Sequence, residues 1–107
     1  LAIELNRNNY ESEVLKYYGA VLVDFWGPRC PVCLALMPVV EQIEKENAGR
    51  LKVAKVNSSE NFMLCVQLKV MGFPTFILYR DGIENMRLTG QDITSGQIKA
   101  AVEKIFS

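Results

Sequence analysis

Two cysteines three positions apart, in Cys30-Pro31-Val32-Cys33, are the residues of this chain best suited to do chemistry. They stand where a strand-forming run, Ala20 to Trp26, gives way to a helical pattern from about Cys30 to Asn47. A helix N-terminus leaves its first amide N–H groups unpaired and carries the positive end of the macrodipole. The Cys30 sulfur is therefore expected to be stabilised as a thiolate, with a pKa below that of a free thiol. Cys33, one turn on, shares the same helix face and is close enough to close a small disulfide ring with Cys30. Pro31 forfeits no hydrogen bond in the first turn, where its missing N–H would have been an orphan anyway. Such a thiolate attacks a disulfide in a partner, and the neighbouring thiol then resolves the mixed disulfide at high effective concentration. Cys30 is the expected attacker and Cys33 the resolver, because only Cys30 lies at the open end of the helix. A zinc site is the competing reading, but there is no second Cys-x-x-Cys pair and no His to complete four ligands.

The elements around this pair alternate in type. Ala2 to Leu5 is a short extended start. Asn8 to Tyr18 is expected to be a helix, capped by Asn8 or Asn9, with Tyr10, Val14, Leu15 and Tyr18 on its apolar face and Gly19 as its stop. Ala20 to Trp26 is apolar almost throughout, which suits a central strand covered on both faces, and Gly27 and Pro28 end it. The helix beginning at Cys30 contains Pro38, expected to bend it, and is closed by Gly49 as a C-cap. Leu51 to Val56 alternates as a strand. Ser58 or Ser59 is expected to cap a helix through Phe62, Cys65, Val66 and Leu68. Thr75 to Tyr79 and Ile83 to Leu88 flank Arg80-Asp81-Gly82, whose Asp-Gly pair predicts a tight antiparallel hairpin. Thr94 or Ser95 opens a last helix with Ile98, Ala101, Val102 and Ile105 on one face. The order β-α-β-α-β-α-β-β-α calls for a mixed sheet with helices on both faces, an α/β sandwich.

Composition narrows the class further. The 107 residues, half of them apolar, fit one domain over residues 1–107 with a core that needs no disulfide scaffold. Twelve Lys+Arg balance twelve Asp+Glu, which argues against a nucleic-acid surface, and with no His there is no histidine-based acid-base, triad or metal site. Apolar runs such as Ala20 to Val23 and Leu34 to Met37 fall far short of the roughly 20 residues that cross a bilayer, so a soluble chain without membrane contact is expected. The chain starts at Leu1, and any targeting segment ahead of it would be invisible. An odd cysteine count favours the cytoplasm over a stapled secreted domain. Asn57-Ser58-Ser59 fits the glycosylation acceptor pattern, which carries little weight alone.

Several residues together resemble the thioredoxin family: Val23-Asp24-Phe25-Trp26 before the cysteine pair, Pro38 after it, Lys55 in the next strand, and Gly72-Phe73-Pro74-Thr75. The spacing is shared as well. Asp24 precedes Cys30 by six positions, while Pro38, Lys55 and Pro74 follow Cys33 by five, 22 and 41. The likeness implies a thioredoxin fold: a central mixed five-stranded sheet flanked by four helices. It further implies that Asp24 is a buried carboxylate that accepts the Cys33 proton, that Lys55 sits near Asp24 and tunes it, and that Trp26 borders the site. Pro74 would be a cis-proline facing the cysteines, with the backbone of Phe73 free to pair with an extended substrate segment. The activity implied is reduction of protein disulfides by a monomer that binds no cofactor beyond the redox-active Cys30–Cys33 disulfide. A separate reductase-type electron donor would recharge it.

Departures from the family pattern matter too. Where the family usually has Trp-Cys-Gly-Pro-Cys, this chain has Arg29-Cys30-Pro31-Val32-Cys33. Arg29 would stabilise the thiolate, attract acidic partners, or simply be solvated. Pro31 and Val32 are substrate-facing residues in this reading. They supply no imidazolium like that of the family's oxidising members, so a reductant is favoured over an oxidase or isomerase. A non-catalytic binding module of the same fold is the alternative from another class. Leu34 replaces a frequent Lys and enlarges an apolar surface with Val32, and Asn57 stands where a carboxylate is common. Cys65 reads as core, as do Phe25, Phe76 and Ile77, and Met71 lies near the docking rim beside Pro74.

Overall fold

The computed structural model describes residues 2–107. Five strands form one sheet in the order β1-β3-β2-β4-β5, with β1 Ile3–Glu4, β2 Ala20–Trp26, β3 Leu51–Asn57, β4 Thr75–Arg80 and β5 Ile83–Thr89. β1 and β2 both run parallel to β3, whereas β4 is antiparallel to β2 and to β5. Parallel neighbours need crossovers, and these are supplied by α1, Pro31–Glu46, between β2 and β3, and by α2, Phe62–Gln67, between β3 and β4. A π-type helical turn, Glu11–Leu15, links β1 to β2, and α3, Ser95–Ile105, closes the chain. The chain is thus a single α/β domain with a five-stranded mixed sheet and four helical segments, as the sequence leads one to expect.

Strand alternation divides the core in two. Val21, Val23 and Phe25 of β2 point to one face with Ala54, Val56, Ile77 and Tyr79, and are covered by Tyr10, Val14 and, from α2, Leu64 and Cys65. Ala20 and Leu22 point to the other with Val53, Phe76 and Leu78, under Leu36, Val40 and Ile43 of α1 and Ile98, Ala101 and Val102 of α3. β2 is central and covered on both sides, so its sequence reads as continuously apolar. Asp24 is the exception, and its place in the alternation puts it on the face shared with α1. The turn after β4 is a tight hairpin, with Asp81 and Gly82 both at positive φ (52° and 80°), as Asp-Gly predicts. Thr94 caps α3 in a reciprocal arrangement: its hydroxyl accepts from the Gln97 N–H, and the Gln97 amide oxygen accepts from the Thr94 N–H.

Three local expectations are corrected. The helix expected over Asn8 to Tyr18 contracts to the π-type turn. Its N-cap position is Tyr10, with no side-chain cap from Asn8 or Asn9; the Asn6 side chain accepts from the Asn8 N–H at 2.8 Å in the loop ahead, and the Lys16 N–H bonds back to the Glu11 carbonyl. Tyr10 and Val14 are buried, but Leu15 is exposed and Tyr18 is 88 % exposed, so half of the supposed apolar face covers nothing. Neither Ser58 nor Ser59 caps α2. The Asn57 side chain accepts from both the N–H and the hydroxyl of Ser59, and the chain makes a further turn to Asn61 before the helix starts. The stop of α1 falls at Asn47, whose side-chain amide donates to the Ile43 carbonyl at 2.8 Å, two residues ahead of Gly49.

Candidate active site

The C-terminal ends of the parallel strands β2 and β3 open onto the loops that carry the cysteine pair and Ser58, where ligands of open α/β sheets are commonly held. After Trp26 the chain turns through Gly27-Pro28-Arg29, fixed by a bond from the Cys30 N–H to the Gly27 carbonyl at 3.1 Å. Cys30 is the N-cap of α1, with extended backbone, and Pro31 takes the first helical position. The two cysteines form a disulfide with Cα atoms 5.2 Å apart. The Cys33 N–H donates to Cys30 Sγ at 3.1 Å, so the orphan amide of the helix start is aimed at the sulfur that the sequence nominates as the attacker. Cys30 is 8 % exposed and Cys33 only 1 %, and only Cys30 lines the adjoining cleft.

That cleft, about 480 Å³, is walled by Gly27, Pro28, Arg29, Cys30, Ser58, Ser59 and Phe73. Phe73 precedes Pro74 through a cis peptide bond, and Pro74 is fully buried. Among the described residues no backbone hydrogen bond engages the Phe73 N–H or carbonyl, although the next residue's carbonyl accepts from the Gly90 N–H at 3.0 Å. The Phe73 backbone is therefore left unpaired beside Cys30, able to receive another strand.

Behind the pair lies the second titratable feature. Asp24 is 3 % exposed and its Oδ1 has no hydrogen-bond partner among the described residues. Burial pushes its pKa up to about 7, and the nearby Lys55 ammonium, its register partner on β3, pulls the other way. A carboxyl oxygen without a donor is tolerable in this setting because a pKa near 7 leaves the group neutral through the acidic range and about half so at neutral pH. Asp24 opens on a cleft of about 350 Å³ that it shares with Lys55, with Met37 and Val40 of α1, and with Glu4, Glu41 and Glu44 at the rim. Met37 lies one helical turn beyond Cys33, which puts the carboxyl and the sealed thiol under the same stretch of α1.

The residues named from sequence thus separate into groups. Cys30, Arg29 and Phe73 meet in the outer cleft; Asp24 and Lys55 meet in the inner one. Of the residues expected at the docking surface, Trp26, Pro31, Val32 and the buried Pro74 line neither. Trp26 is half-buried, its indole N–H sealed and without a partner among the described residues, Pro31 is exposed on the helix shoulder, and Val32 packs against the α1/α3 side of the core. Sequence reasoning missed the carboxylates around Asp24, which come from β1 and from the outer face of α1. It also missed Ser58 and Ser59 as cleft walls; their place directly after a parallel strand was the available signal. Cys65 is buried, and desolvation pushes its thiol pKa up, as suits a packed rather than a reactive cysteine. Among the described residues no three His, Cys, Asp or Glu side chains group as metal ligands, and no helix is long and apolar enough to cross a membrane.

Comparison with known proteins agrees with this geometry. Residues 2–104 match the family described as Thioredoxin. A thioredoxin of Acetoanaerobium sticklandii is 38 % identical over 101 residues, covering 94 % of this chain and 96 % of the relative. One from Peptoclostridium acidaminophilum is 35 % identical over 104 residues, 97 % of this chain and 94 % of the relative. One from Pseudomonas aeruginosa is 39 % identical over 74 residues, 69 % of this chain and 68 % of the relative.

Proposed function

The chain belongs to the thioredoxin family of thiol-disulfide oxidoreductases, and on that premise we propose that it reduces disulfides in client proteins, with Cys30 as nucleophile and Cys33 as resolving thiol. The observation that carries this reading is the asymmetry of the pair: Cys30 caps α1, receives an amide N–H and borders the cleft, while Cys33 is sealed behind it.

In the reduced form the Cys30 thiolate attacks one sulfur of the client disulfide. The S–S bond breaks, and the other client sulfur leaves as a thiolate that takes up a proton. Cys33 then gives its proton to the Asp24 carboxylate and attacks Cys30 Sγ; the mixed disulfide breaks, and the client's second sulfur leaves as a thiolate that takes up the proton held by Asp24. Two electrons have passed to the client, and the Cys30–Cys33 disulfide remains. Asp24 suits the proton transfer because a pKa near 7 leaves both its forms populated at neutral pH. Lys55 is the positioning charge that keeps the value from rising further. The client segment pairs along the free backbone of Phe73. A separate electron donor restores the dithiol, and the compartment proposed is the cytoplasm, on the strength of the odd cysteine count.

A Cys33→Ser variant tests this reading, because it should accumulate client proteins as mixed disulfides through Cys30, whereas Cys30→Ser should accumulate none. The natural chain should also reduce an insulin-type disulfide, with a reduction potential well below about −150 mV. A potential at or above that value would turn the reading into an oxidase or isomerase. Absence of both trapping and reduction would leave a binding module.

A further inference from the structure

The cleft beside Cys30 does not end at Phe73. A second groove, about 460 Å³, runs on from it between α2 and the segment leading to Pro74, walled by Phe62, Val66, Met71 and Phe73 over the buried Cys65. Ser58 and Phe73 line both, so the two form one continuous trough. Its walls hold large apolar side chains facing water: Met71 is 90 % exposed, Phe62 70 % and Val66 50 %. Contiguous exposure of this kind marks an interaction surface rather than ordinary scatter.

Charge in the trough is one-sided. Arg29 lines one end and Lys69 the other, no Asp or Glu lines either part, and among the described residues neither cation has a carboxylate within ion-pair distance. The start of α1 adds the positive end of its dipole, with no acidic residue in its first turn. This local asymmetry arises in a chain whose formal charge is zero.

We propose that the trough selects its clients, favouring disulfides set in an extended segment with carboxylates near the attacked cysteine and a large apolar residue further along. The carboxylates face Arg29 and Lys69, and the apolar side chain lies against Phe62, Val66 and Met71. Continuity with the reactive sulfur argues for a client as the occupant. The proposal rests on the exchange reaction described above. Exposed charge pairs change affinity by a few-fold each, and an apolar side chain in such a groove by about tenfold or more.

The test uses the full chain, prereduced, in single-turnover exchange with four cyclic disulfide peptides. These carry either Glu or Lys beside one cysteine, and either Phe or Ser outside the ring at one offset, fixed beforehand by scanning Phe along the segment. Hydroxyethyl disulfide, small and uncharged, reports the exchange chemistry alone. The natural chain should prefer Glu over Lys peptides about tenfold at low salt, a preference that shrinks in 0.5 M salt, where the Debye length is about three times shorter than at 0.05 M. The double variant Arg29→Glu, Lys69→Glu should invert that ratio. The best-placed Phe peptide should outrun its Ser counterpart about tenfold, and the double variant Phe62→Ser, Met71→Ser should abolish that ratio. Because each readout is a ratio within one variant, a general change in reactivity cancels. Equal rates for all four peptides, with normal reduction of hydroxyethyl disulfide, overturn the trough while leaving the exchange intact; failure on hydroxyethyl disulfide overturns the exchange itself. A natural chain that sediments as a dimer, and that Phe62→Ser, Met71→Ser turns into a monomer, would make the α2 face a contact between copies and also overturn the proposal.

Discussion

Replacing Asp24 by Asn should stabilise the oxidised protein, and the gain should depend on pH in a way that only a buried carboxyl produces. Asp24 is 3 % exposed, and burial lifts its pKa from an ordinary 3.8 to about 7. A carboxyl whose folded pKa is raised binds its proton more tightly in the folded than in the unfolded chain. It therefore costs no stability below pH 4, and an increasing amount as pH rises from 4 to 7, where the unfolded chain ionises freely and the folded one does not. Above pH 7 the cost is complete. At about 1.4 kcal/mol for each tenfold difference in proton affinity, it reaches roughly 4 kcal/mol. Denaturant unfolding of both proteins at pH 4, 5.5, 7 and 9, with the disulfide intact, measures it. The Asn variant should match the natural chain at pH 4, apart from a constant offset from its amide, and should be more stable by up to about 4 kcal/mol at pH 9. A stability difference that stays flat across this range would refute the claim that Asp24 is held protonated by desolvation.

Other perturbations follow from the same structure. Lys55→Met removes the charge that opposes burial at Asp24, so the carboxyl should titrate above pH 7, a shift readable from its ¹³C resonance. Gly82→Ala should destabilise by about 2 kcal/mol or more in thermal or denaturant unfolding, because the residue sits at φ 80° and a Cβ there runs into the Leu15 carbonyl oxygen. Gly49→Ala, at φ 88° but with open space around it, should lose only about 1 kcal/mol. Thr94→Ala deletes the hydroxyl that accepts from Gln97 and should cost about 1 kcal/mol in the same assay.

The sheet and the reactive loop were legible in the sequence because each is set by local chemistry. A seven-residue run that is apolar but for Asp24 has one good place in an α/β domain, the covered centre of the sheet, and β2 takes it. Asp81-Gly82 makes the hairpin it promises, and Thr94 with Gln97 makes the helix start. What local patterns cannot say is which apolar residues will find a cover. Tyr18 has the right spacing for a buried helix face, yet the chain must turn at Gly19, whose N–H is held by the Asp81 side chain, and the helix ends at Leu15, three residues before Tyr18. The serines before α2 look like caps, but the Asn57 side chain claims Ser59 first. At the site, the cysteine pair was visible through its spacing and its place before a helix, and Asp24 through the resemblance to the thioredoxin family. The cleft around Asp24 was not, because Glu4, Glu41 and Lys55 come from three elements that only the fold brings together. Trp26 and Val32 show the converse: close in sequence to the reactive sulfurs, they line neither cleft.

The central claim is that the sulfur of Cys30 is activated by its place at the start of α1 while that of Cys33 is held in reserve. Alkylation of the reduced chain by iodoacetamide over pH 4 to 10, with each cysteine followed separately by mass spectrometry, tests this directly. Cys30 should react with a midpoint clearly below the 8.5 of a free thiol, while Cys33 and Cys65 stay largely unmodified. A Cys30 midpoint at or above the free-thiol value, or equal modification of Cys30 and Cys33, would contradict the account.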